Sequence, residues 1–266
     1  MGRVIGVVSG KGGVGKTVVS INLAAALRTL GRRVLLVDFN PTTSHVGLYL
    51  GMFSTTKTLN DVLRNKAALN EAVYEHASGI HVLPASINMD DLKNLRWDNL
   101  RKRMANIIKD YDYVILDGSP GFGKEAVETF KACDDLLFVT TPHVHTAADL
   151  LKCKQIAQTL NLSPLGIVLN MVRNKKYELT PAEVMSLVEE HVISSIPFDD
   201  SIMESIVHKR PVATMKAKSS KHFHDIARYV EYGIIPQPRG FWSRLFGRSA
   251  GPSRRPVMVR PAAPIP

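Results

Sequence analysis

The sequence predicts an α/β fold with a mostly parallel central sheet flanked by helices. Three observations lead to it. Short runs rich in Val, Ile and Leu recur at 4–8, 33–37, 80–83, 113–116, 136–140, 165–169 and 192–196. Several are continuously apolar and not alternating, as in strands covered on both faces. Helical stretches at 16–30, 99–109, 124–132, 147–160 and 182–190 separate most of them, and strand and helix in alternation build a parallel sheet.

Taken in order, the chain runs straight into Arg3-Val4-Ile5-Gly6-Val7-Val8, a strand with none of the ordered regions of a signal peptide. No apolar run reaches the ~18 residues of a membrane span. Thr180-Pro181-Ala182-Glu183 opens a helix with a capping-box pattern and Pro at its first position. Cys133 and Cys153 match no C-x-x-C spacing and read as buried, reduced thiols of a cytosolic protein. His143 and His145 follow a strand with no third ligand placed nearby, so they read as polar loop residues and not as a metal site.

At 266 residues, 45% hydrophobic and 22% charged, the chain can bury a sizeable core, and disorder is excluded for most of it. A net charge of +10 asks for an anionic partner: nucleic acid, a membrane surface or phosphates. The excess is uneven. Residues 239–266 hold six Arg, five Pro and no Asp or Glu, whereas the rest carries 28 basic against 24 acidic residues. The body is therefore 1–235, followed by a short segment at 236–248 and a disordered, basic, Pro-rich tail at 249–266.

The strongest local signal is Gly10-Lys11-Gly12-Gly13-Val14-Gly15-Lys16-Thr17, between a strand and a helix. It matches the phosphate loop G-x-x-x-x-G-K-[ST]. Glycines let backbone N–H groups close around phosphate oxygens, and the helix that follows presents its positive end. Lys16 supplies a cation, and the Thr17 hydroxyl can ligate Mg2+. Lys11 is a second lysine that cradling a phosphate in the same molecule does not need.

With that extra lysine, Lys-Gly-Gly-Val-Gly-Lys-Thr resembles the deviant phosphate loop (Walker A type) of the MinD/ParA ATPases, closest to MinD-like members. The resemblance spans about 1–235, the proposed ATPase domain, and implies ATP and Mg2+ as cofactors and an ATP-dependent homodimer. It implies that Lys11 reaches the partner's nucleotide, and that Lys11, Lys16 and Asp38 are catalytic. Gly12, Gly13, Val14, Gly15, Lys16 and Thr17 would cradle phosphate. Asp38 ends one apolar run, and Phe39 to Gly47 resembles the first switch. Asp117-Gly118-Ser119-Pro120-Gly121 resembles the D-x-P-x-G second switch, with Ser119 and Pro120 departing from it. Thr17, Asp38 and Asp117 would serve the metal, the Gly121 N–H would sense the γ-phosphate, and Asn170 with Pro197, Phe198 and Asp199 would form the adenine pocket. The residue two after the first Asp is usually a second Asp; here it is Asn40, which cannot accept a proton at neutral pH. Slow or partner-activated hydrolysis is expected.

Arg239 to Arg248 is amphipathic: at 100° per residue Phe241, Trp242, Leu245 and Phe246 fall within about 140°. Aromatics flanked by Arg suit a membrane interface, and the segment resembles the MinD membrane-targeting sequence. One copy would bind weakly and two on a dimer much better. The implied picture is a cytoplasmic protein, peripheral on the membrane, acting with an activating or cargo protein in spatial positioning of a division site or surface apparatus. Its rivals are a ParA-type partition ATPase using His208-Lys209-Arg210, Lys216, Lys218 and Lys221 on DNA, a nucleotide switch with little hydrolysis, and a ligase of the dethiobiotin or cobyrinic-acid type. DNA is the less favoured partner because the charge excess sits in the tail.

Overall fold

The computed structural model describes residues 2–97 and 100–234. The tail segments and the side chains of Phe241, Trp242, Leu245 and Phe246 lie outside the described residues. Among the described residues, eight strands form one sheet in the order β3-β4-β2-β5-β1-β6-β7-β8. They are β1 (Arg3–Val8), β2 (Val34–Phe39), β3 (Tyr74–Glu75), β4 (His81–Leu83), β5 (Tyr113–Gly118), β6 (Asp135–Thr140), β7 (Pro164–Val172) and β8 (Val192–Pro197). All pairs are parallel except β3 with β4. The two-residue edge strand β3 was beyond the reach of any sequence pattern.

The continuous apolar runs are explained by two cores, one on each face of the sheet. On one face Leu35, Val37, Val114, Leu116 and Phe138 pack against α3 (Leu59–Leu63), α4 (Leu100–Ile108), α5 (Lys124–Ala132), α6 (Val144–Thr159) and α7 (Pro181–Val188). On the other, Ile5, Val7, Leu36, Ile115 and Val139 pack against α1 (Lys16–Thr29), α2 (Val46–Tyr49) and α9 (Ser220–Tyr232). The remaining helix, α8 (Ser201–Val207), leads from β8 toward α9.

Several boundaries move from the sequence reading. The fourth major helix begins at Val144, not at 147, because Thr146 joins its first turn: its hydroxyl donates to the carbonyls of Thr141 and His143. The His143 and His145 rings therefore stand at the start of α6, stacked 5.7 Å apart. Glu189, in left-handed backbone at φ 54, stops α7 at Val188. β7 runs on to Val172 through a register irregularity, with Met171 at φ 59. Asn170 thus lies inside a strand and not after it.

Candidate nucleotide-binding site

Parallel strands put all their carboxyl ends at one edge of the sheet, and the loops there form the crevice. The β2–β5 register sets Asp38 directly beside Asp117, and the β1–β5 register sets Val7 beside Asp117. Two carboxylates and the mouth of the phosphate loop are thereby brought together by main-chain pairing alone. Both acids are essentially buried, at 0% and 1% exposed.

Gly15, at φ 90, turns the chain into α1, whose first turn has neither a side-chain cap nor an acidic residue. The positive helix end is left for an anion. A Cβ at Gly13 would meet nothing within 4 Å, so the loop mouth is open at that point. Lys16 is buried at 7% exposed, and desolvation lowers its pKa although Asp117 pulls the other way. Lys11 is exposed. The two lysines of one loop thus occupy opposite environments.

Thr17 and Ser20 are three apart on α1 and face the same way. The Thr17 hydroxyl donates to Asp117 Oδ2 at 2.7 Å, and the Ser20 hydroxyl to Asp117 Oδ1 at 2.8 Å. Asp38 Oδ2 accepts from the Ser44 hydroxyl at 2.8 Å and the Val46 N–H at 3.2 Å, and Oδ1 accepts from the Asn40 N–H at 3.3 Å. Burial and the Asp117 charge push Asp38 up to about 7, and burial also raises Asp117. Two adjacent buried carboxylates with raised pKa values form a site that a divalent cation would relieve.

Asn170 is half committed. Its amide nitrogen donates to Val14 O at 2.9 Å, bracing the phosphate loop, while Oδ1 is buried without a partner. A buried carbonyl oxygen with no donor is costly, and an exocyclic amine of a base would satisfy it. Phe198 follows β8, is 44% exposed and lies 3.8 Å beneath the Arg173 guanidinium. Pro197 pairs with Val172 in the β7–β8 register. Asp199 accepts from the backbone N–H groups of Ser201 and Ser219, at 3.1 and 2.9 Å. Burial pushes its pKa up, but these bonds win and hold it low. Asp199 thereby ties the loop after β8 to the starts of α8 and α9. The Gly121 N–H donates to Ser9 O at 3.1 Å, so contact with a phosphate requires an exchange of partners.

The structure gathers Lys11 to Thr17, Asp38, Asp117, Gly121 and Asn170 around one crevice. The sequence reading missed Ser20, Ser44 and Glu125. Ser20 was findable, because it lies one helical turn after Lys16 and three residues after Thr17. Ser44 and Glu125 carry no such signal.

The fold and the crevice define a P-loop nucleotide-binding protein. The family described as an AAA domain matches residues 2–163. An uncharacterized ATP-binding protein of Methanocaldococcus jannaschii is 32% identical over 216 residues, spanning 81% of this chain and 82% of that protein. The cell division ATPase MinD of Pyrococcus furiosus is 30% identical with a TM-score of 0.84, spanning 88% of this chain and 100% of its own. The septum site-determining protein MinD of Pyrococcus horikoshii, solved with Mg-ADP, is 28% identical with a TM-score of 0.83, spanning 87% and 97%. The chain belongs to the MinD/ParA family of P-loop ATPases.

Proposed function

We propose that this chain is a positioning ATPase that binds ATP with Mg2+, dimerises through its nucleotide face and hydrolyses ATP slowly or on activation by a partner. Lys16, the backbone of Gly12 to Gly15 and Thr17 hold the phosphates. Asp38 and Asp117 serve the metal with Thr17, and Asn170 with the 197–199 segment holds the base. Bound Mg2+ would supply charge neutralisation at the phosphates; Lys16 orients them and the buried walls exclude water.

The observation that carries dimerisation is the contrast between Lys16, buried beside its own crevice, and Lys11, exposed on the same loop. An exposed cation on a phosphate loop is suited to a second molecule's nucleotide. The surroundings agree with that. Ile87, Met89, Phe122, Val144, Tyr177 and Phe198 are exposed large apolar residues, and each follows the carboxyl end of a strand. They are half of the exposed large apolar residues among the described ones, and apolar side chains beside a crevice favour a covered face.

In this reading Phe241, Trp242, Leu245 and Phe246 attach the ATP dimer to the membrane from the cytoplasm, and hydrolysis releases it. The decisive experiment is co-sedimentation of the full chain with anionic liposomes. Pelleting with ATP but not ADP is expected, lost on removal of residues 239–266 and on Lys11→Ala. A salt-sensitive DNA shift that survives the truncation, with no liposome pelleting, would instead establish the DNA-binding alternative.

A further inference from the structure

Two crevice loops meet at one carboxylate. Glu125 stands half-buried in the first turn of α5. Its Oε1 accepts from the Thr42 hydroxyl at 2.7 Å, in the loop after β2. Its Oε2 accepts from the Ser119 hydroxyl at 3.0 Å, in the loop after β5. Ser119 is buried, and its oxygen also lies 3.1 Å from Phe39 O and 3.2 Å from Asn40 Oδ1. Asn40 uses its amide nitrogen within its own loop, donating to Thr43 O at 3.1 Å and Thr43 Oγ1 at 2.7 Å. Among the described residues, Glu125 is the acid that bonds to both loops.

We propose that Glu125 is a positioning residue, a clasp that makes the Thr42 loop and the Ser119 loop close on the phosphate end together. The inference rests on the ATPase reading of the crevice. Hydroxyls donating to a carboxylate make charge-assisted bonds stronger than neutral ones, and the helix start favours the anion. The Gly121 N–H is held by Ser9 O and must let go to meet a phosphate. When it does, Ser119 two residues away moves with it, and Glu125 transmits that movement to Thr42. Because Glu125 does not touch Lys16, Thr17 or the loop glycines, it governs the closed geometry and not the initial grip on nucleotide. Small misplacements of reacting groups cost rate steeply, up to about 100-fold per Å.

The test uses the full chain with Glu125→Ala, Glu125→Gln, Thr42→Val and the Thr42→Val/Glu125→Ala pair. Hydrogen exchange of nucleotide-free protein is followed over 40–46 and 119–123, alongside ATP turnover and ATP affinity. Glu125→Ala is expected to speed exchange in both loops and to lower kcat about tenfold or more, with ATP affinity changed less than about twofold. Gln can bond both hydroxyls, so Glu125→Gln restores slow exchange and most of kcat. The double variant is no worse than Glu125→Ala, since both cut one tie. Unchanged exchange over 40–46, additive losses, or a Gln variant with restored exchange but Ala-like kcat would each overturn the proposal. If Glu125→Ala does not fold, Thr42→Val, which cuts the same tie, is expected to speed exchange in both loops and to lower kcat, and Glu125→Gln is the variant that keeps both near the unaltered chain. If the unaltered chain hydrolyses no ATP, the ATPase reading fails, while exchange still decides whether the clasp exists.

Discussion

Asp38→Asn should make the nucleotide-free protein more stable while weakening its response to Mg2+. Asp38 is fully buried, and its neighbourhood moves it from an ordinary 3.8 to about 7. A folded pKa above the unfolded one means the folded state binds the extra proton. The associated stability is present below about pH 4 and is lost as pH rises toward 7. At about 1.4 kcal/mol per pH unit, keeping Asp38 ionised at pH 8 costs the folded state about 4 kcal/mol. An Asn whose Oδ1 replaces the Asp38 Oδ2 keeps the bonds from Ser44 and Val46, while its Nδ2 faces the Asn40 N–H donor to donor in place of the 3.3 Å bond. That loss is worth roughly 1 kcal/mol. The net gain is about 3 kcal/mol at pH 8, or roughly 6–12 K in Tm, shrinking below about 1 kcal/mol at pH 5, where Asp38 itself is largely protonated. Thermal unfolding by circular dichroism at pH 5, 6.5 and 8 measures both ends. Adding Mg2+ with ADP should then raise the wild-type Tm more than that of the variant. A variant no more stable than wild type at pH 8, or an advantage independent of pH, would refute the reasoning.

Gly15→Ala should destabilise more than Gly13→Ala. Both have positive φ, but the Cβ at 15 would lie 2.2 Å from Asn170 Nδ2, whereas at 13 it meets open space. A loss of about 1–3 kcal/mol is expected at 15 and about 1 at 13, and equal urea midpoints would contradict this. Lys16→Ala should abolish ATP binding, measured by calorimetry, while leaving the apo protein at least as stable, because a buried cation is removed; retained affinity would remove Lys16 from the phosphate site. Asn40→Asp should raise ATP turnover by introducing a proton acceptor, and should cost about 1 kcal/mol of stability because the bond to the Thr43 carbonyl is lost, while the Thr43 hydroxyl can donate to the new carboxylate. An unchanged rate would sink the link between Asn40 and slow hydrolysis.

Much of this could be read from the chain because it depends on local chemistry. Strands such as β1, β2 and β5 are runs of branched aliphatics buried on both faces, and the loop before α1 needs its glycines at fixed places. What escaped depends on partners distant in sequence or on elements too short for a period. β3 has two residues, and α8 has seven, fewer than a pattern window can resolve. Asn at a strand end is by itself most often a turn residue, so only the order of the motifs assigns Asn170 to the base; the continuation of pairing to Val172 shows it to be a strand residue facing Val14.

The clearest case is Asn40 with Ser119. In sequence they are two separate departures from a pattern, 79 positions apart. The β2–β5 register pairs Asp38 with Asp117 and Phe39 with Gly118, so the next residue of each strand must emerge beside the other. A proline at 119 has no hydroxyl to share among Phe39 O, Asn40 and Glu125. Conversely, with an acid at 40, the Ser119 hydrogen would be drawn to that charge, and the two loops would be tied directly instead of through Glu125. The amide at 40 is a neutral acceptor, so the single Ser119 hydrogen is left to the Glu125 carboxylate. The two departures are therefore one physical change: here the relative placement of the crevice loops is set by hydrogen bonds to Glu125, and that placement can be altered from either loop.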